Sequence, residues 1–73
     1  VVREVRDLLI TKLIERLAYS DPITRRNAAG ALRLHGDRAV AAIPALEELL
    51  DDDNKGVRQE VRRALNRLCS KVA

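Results

Sequence analysis

Two stretches of this 73-residue chain repeat one another. Setting DPITRRNAAGAL above NKGVRQEVRRAL pairs Asp21 with Asn54, Thr24 with Val57, Arg25 with Arg58, Ala28 with Val61, Ala31 with Ala64 and Leu32 with Leu65, each pair 33 positions apart. Upstream, Ile14 aligns with Leu46 and Leu17 with Leu49 at 32 positions, so the second turn is one residue longer. A period of this length marks a supersecondary unit that cannot bury its apolar face alone and stacks on its neighbour. That rules out most globular topologies and leaves a tandem array.

The unit is helical, because apolar residues recur at three and four positions and nothing alternates like a strand. Val2, Val5, Leu9, Leu13 and Leu17 form the first stripe, widened by Val1, Leu8, Ile10 and Ile14 beyond a coiled-coil seam. YSDP breaks it, with Asp21 suited to an N-cap and Pro22 to the first helical position. The second helix carries Thr24, Ala28, Ala31 and Leu32 until HGD ends it at Gly36. Asp37 is expected to cap a third helix with Val40, Ile43, Leu46, Leu49 and Leu50 on its apolar face. Pro44 lacks an N–H and crowds the carbonyl four residues earlier, so this helix is kinked or restarts near Ile43. After DDDNKG the fourth helix carries Val57, Val61, Ala64, Leu65 and Leu68 towards Val72. The expectation is an all-α domain over 1–73: four helices in two antiparallel hairpins, a fragment of an α-solenoid. Repeat one covers about 1–35 and repeat two about 36–73, with breaks near 19–22, 35–38 and 51–56. Ala28/Val61 and Leu32/Leu65 are expected to face the core in equivalent ways.

Eleven Leu, four Ile and seven Val supply the core, while Tyr19 is the only aromatic residue, so a chain of this size is expected to be marginal alone. Terminal units of an array normally need covering. Further repeats, a homo-oligomer or a partner subunit are expected over Val1, Val2 and Val5 at one end and Leu68 and Val72 at the other. A single cysteine, Cys69, allows no internal disulfide. No secretory signal and no long apolar run appear, which points to a cytoplasmic protein without membrane attachment. A first residue of Val rather than Met suits a processed or excised piece of something longer.

The stretch GDRAVAAIPALEELLDDDNKGVRQEVRRAL resembles HEAT repeats of the short bacterial type related to phycobilisome lyase subunits. It has that pattern's Gly, alanine-rich run, Pro-Ala-Leu with Pro44, leucine pair, acidic turn, Val-Arg and Ala-Leu. LIERLAYSDPITRRNAAGALRLHGD is a looser copy, with Thr24 for the usual apolar residue and no proline in its first helix. The resemblance implies a solenoid with first helices on the convex side and second helices on the concave side. It also implies that Arg25 and Arg58, four residues after Asp21 and Asn54, bind the turn acid and neighbouring repeats, with Asp53 the nearest turn carboxylate for Arg58. Fold is implied well and function poorly, because HEAT arrays host many activities.

Motifs for chemistry are sparse. The DDD at 51–53 offers oxygen ligands for a hard cation but lacks the alternating ligands and closing Glu of a calcium loop. An exposed turn at the positive end of the next helix explains it more simply. Cys69 follows Leu65 by four residues on the apolar face and is expected to pack in the core. No His or acid is placed near it in sequence to activate a thiolate, though a bilin attachment relay stays open. His35 stands beside Gly36 at a helix carboxyl end, and Tyr19 is expected to cover a repeat edge. With no Gly-rich phosphate loop, metal-spaced Cys/His cluster or nucleophile–base arrangement, no cofactor and no catalysis by the chain itself are expected.

Charge is the most informative functional feature. Residues 22–35 and 55–73 together carry +8, whereas 36–54 carry −5 and 1–21 are neutral, giving the net +3. In a solenoid this makes the second-helix side basic. A strip of Arg26, Arg33, Arg62, Arg63 and Arg67 is expected to dock an acidic protein segment or subunit. The same layout also fits a solvated helix face balanced by carboxylates of the other layer. Two alternatives remain: a subunit or fragment of a bilin lyase or phycobiliprotein chaperone, following the resemblance, and backbone binding of nucleic acid without sequence preference. The strip has no aromatic residue to stack bases, which counts against single-strand recognition.

Overall fold

The structure is a computed structural model that describes the backbone of residues 2–72 and the side chains of residues 8–70. Helix α1 spans Val2–Arg16 and α2 Pro22–His35; a 3-10 segment, Gly36–Ala42, leads into α3, Ile43–Glu47, and α4 spans Lys55–Val72. No strand occurs among the described residues. The first hairpin is α1 with α2. The second pairs α4 with the arm made by the 3-10 segment and α3. Helix α2 packs most extensively along α4, and α1 touches the 3-10 segment, so the second helices form one layer and the first arms the other.

Each boundary has a local cause. Asp21 sits in extended backbone and its side chain accepts from the Ile23 N–H, with Pro22 at the start of α2. Asn54 does the same for α4, its Oδ1 accepting from the Val57 N–H at 3.0 Å. Gly36 ends α2 with φ 62° and ψ −127°, a backbone that L side chains avoid, and its N–H returns to the Arg33 carbonyl. Pro44 stands in the first turn of α3, which begins only at Ile43, and the Ile43 N–H returns to the Val40 carbonyl. One expectation is corrected here: Asp37 caps nothing. The chain reverses at Gly36 within one residue, leaving Asp37 inside the 3-10 segment, whose start has no side-chain cap.

The core joins Ile10 and Leu13 of α1, Leu17 just past its end, Ala28, Ala29 and Leu32 of α2, Leu46 of α3 and Val57, Val61, Ala64 and Leu68 of α4. Ala39 and Ala42 line the 3-10 segment side at 0 % exposure. Alanines at these contacts let backbones approach closely, which is how a chain without core aromatics fills its interior.

The repeat is not equivalent throughout. Ala28 and Val61 are both buried, but Leu32 is fully buried while Leu65 is half-buried. Helix α2 packs on α1 and on α4, and α4 packs on α2 and on the arm made by the 3-10 segment and α3; Leu65 lies on the side of α4 away from α2. Two further expectations are corrected by the same geometry. Leu68 is core, completing the 57, 61, 64, 68 stripe, rather than an apolar end to be covered. Cys69 is exposed, sharing Leu65's side of α4 rather than the core stripe. Val1, Val2, Val5 and Val72 lie outside the residues whose side chains are described.

Candidate protein-interaction surface

The two turns are tied together by arginine. Arg25 Nη1 donates to the carbonyls of Tyr19 and Ser20 at 2.7 and 2.8 Å, holding the turn before its own helix. Its Nη2 donates to Asp52 Oδ1 at 3.0 Å, and its Nε lies 2.8 Å from Asp52 Oδ2, close in charge though out of line for a hydrogen bond. Asp53 adds a longer contact at 3.6 Å with a side chain 97 % exposed. The Asp52 carboxylate also accepts from the Asn54 N–H at 2.9 Å. Burial pushes its pKa up, but the Arg25 and Asn54 hydrogen bonds and the guanidinium charge outweigh that, leaving it below the ordinary 3.8.

Arg58 repeats the inner half of this arrangement. Its Nη1 donates to the Asp52 carbonyl at 2.6 Å, as Arg25 does to Tyr19, 33 residues earlier. Asp53 is therefore not its partner: the acid in this turn belongs to Arg25, from the other repeat. Asp53 is the acid of this turn nearest Arg58 in sequence, whereas the readable signal was the Asx spacing of Asp52 and Asn54, since an aspartate caps the N–H two residues on. The triplet is thus divided between an ion pair at Asp52 and exposed carboxylates at Asp51 and Asp53. Among the described residues, no three His, Cys, Asp or Glu gather as a metal site.

Glu60 organises part of the basic strip. Its carboxylate accepts from Arg63 Nη1 at 3.1 Å and lies 3.7 Å from Arg33 Nε across the α2–α4 junction. That second contact is an ion pair without a hydrogen bond, although both atoms are buried. Gly30 opens the junction, where a groove of about 350 Å³ is lined by Arg26, Arg33, Leu34 and Glu60. Arg26 crosses to the second hairpin, its Cδ lying over Gly56. Arg26, Arg63 and Arg67 are exposed, as is Arg62. Arg62 stands apart from the others: it occupies the place of Ala29, on the side of α4 away from α2. Glu60 was the residue sequence reasoning passed over, although its i,i+3 relation to Arg63 is legible.

A larger groove of about 500 Å³ lies on the first hairpin, lined by Leu13, Arg16, Tyr19, Thr24 and Asn27. Tyr19 is 53 % exposed there, and Thr24 donates its hydroxyl to Asp21 Oδ2 at 3.0 Å. His35 closes α2 beside Gly36. Among the described residues no helix is long and apolar enough to cross a membrane.

No curated protein and no solved structure shows significant similarity to the chain. The profile of HEAT repeats matches residues 10–73, taking in all of α2, the whole second hairpin and the arginine bridge between them. On that match over most of its length, the chain belongs to the HEAT-repeat family.

Proposed function

We propose that this chain is a protein-interaction module without catalytic chemistry of its own, and that its second-helix layer binds an acidic protein segment. HEAT repeats are in general protein-interaction scaffolds. The observation that carries the reading is uncompensated charge: Glu60, the one acid on α2 and α4, already serves Arg33 and Arg63, while Arg26, Arg62 and Arg67 remain exposed. A like-signed cluster on a rigid layer favours an oppositely charged partner and speeds its encounter.

The test is fluorescence anisotropy of the chain with a labelled acidic peptide, duplex DNA and biliverdin, the last covering the bilin-lyase alternative. Changing Arg26, Arg62, Arg63 and Arg67 to Ser is expected to weaken the peptide while circular dichroism keeps its helical signal. For duplex DNA each neutralised phosphate gives a salt slope of about −0.9, so five contacts imply roughly −4.5. Tighter binding of DNA than of peptide, or unchanged peptide binding by the Ser variant, would overturn the reading.

A further inference from the structure

Arg25, Ala29 and Arg33 lie four residues apart on one stripe of α2, and that stripe meets the second hairpin. Arg25 reaches Asp52, Arg33 reaches Glu60, and Ala29 between them is 0 % exposed. Adding the 33-residue period gives Arg58, Arg62 and Asn66 on the side of α4 away from α2. Leu65 and Cys69 share that side; their counterparts Leu32 and Gly36 are buried, whereas Leu65 is half-buried and Cys69 exposed.

Two differences decide what this edge can hold. Where α2 presents Ala29 and Gly30, α4 presents Arg62 and Arg63. Ala29 is fully buried where α2 meets the second hairpin, so a unit stacked on α4 as the second hairpin stacks on α2 would bury the Arg62 cation. Secondly, Arg58 makes Arg25's inner hydrogen bond but, among the described residues, has no carboxylate on its outer side. A second copy of this chain stacked in the same sense supplies none either. It would bring Tyr19 to the place of Asp52 and Asn27 to that of Glu60.

We propose that this edge of α4 docks an acidic helical segment of another protein. One carboxylate takes on Arg58 the place Asp52 takes on Arg25, a second one turn away meets Arg62, and an apolar side chain covers Leu65. The proposal rests on the reading that the partner is an acidic protein, and it moves the docking site from the α2–α4 junction to the outer edge of α4.

The probe is a labelled helical peptide with two glutamates four residues apart and a leucine on the same side, titrated against the full 73-residue chain. Arg62→Ala, at an exposed site, is expected to weaken it roughly tenfold, the size of one charge-assisted hydrogen bond. Arg58→Lys, which keeps the charge but loses the fork, should weaken it less, and Arg26→Ser and Arg67→Ser should leave it nearly unchanged. The glutamine version of the peptide should bind no better than to the Arg62→Ala variant. If the parent binds and only Arg26→Ser or Arg67→Ser weakens it, this inference fails and the acidic-partner reading stands. If no acidic peptide binds the parent, both fall. Duplex DNA binding more tightly than the peptide, and lost on Arg62→Ala, would overturn the partner class.

Discussion

Arg25 of the first hairpin and Asp52 of the second form a close ion pair whose side chains are 12 % and 7 % exposed. The arginine also holds two carbonyls of its own turn, so one guanidinium sets both the entry to α2 and the stacking of the units. Arg25→Ala leaves a mostly buried carboxylate with only the Asn54 N–H. A loss of about 3 kcal/mol in the urea unfolding free energy is expected. A double-mutant cycle with Asp52→Ala should show coupling above about 1 kcal/mol, and additive single effects would refute the bridge.

Acid should expose the same contact. The folded pKa of Asp52 lies below its unfolded value of 3.8, so its contribution is complete above that value and is lost as pH falls through the folded one. The stability gap between the parent and Asp52→Asn should therefore be constant from neutral pH to about 5 and shrink below about 4. A gap that widens on acidification would show the opposite sign of shift.

Much of this was legible in sequence, for local reasons. Asp21, Pro22, Gly36 and Pro44 act through their own backbone or a neighbour's N–H, and the structure places each where its chemistry suggested; Asn54, aligned with Asp21, caps α4 in the same way. Contacts across the repeat were not legible. Which aspartate of three receives Arg25 depends on the register between two hairpins, and Glu60's contact with Arg33 depends on how α2 lies along α4. Cys69 and Leu65 were misread for a related cause. Matching positions one period apart assumes identical neighbours. Each second helix packs on its own first arm and on the other second helix, but the side of α2 that carries Leu32 meets α4, whereas the matching side of α4 faces away from α2.

Leucine truncation measures that asymmetry. Leu32→Ala, at 0 % exposure, is expected to cost about 2–5 kcal/mol. Its counterpart Leu65→Ala, half-buried, should cost about 1 kcal/mol and leave the chain folded. Equal losses in urea titration would mean that Leu65 is covered as fully as Leu32.

Cys69 makes the outer edge of α4 directly observable. It is exposed, four residues beyond Leu65 and seven beyond Arg62, and so on their side of the helix. Thiol reactivity depends on access as well as on thiolate content. A small disulfide reagent should therefore react with the native chain at a rate close to that in urea. Saturating glutamate peptide should slow the native reaction by covering this edge, and should leave the reaction of the Arg62→Ala variant unaffected at the same concentration. A peptide that binds the parent chain without protecting Cys69 would place its docking site elsewhere. A native rate orders of magnitude below the denatured one would return Cys69 to the core.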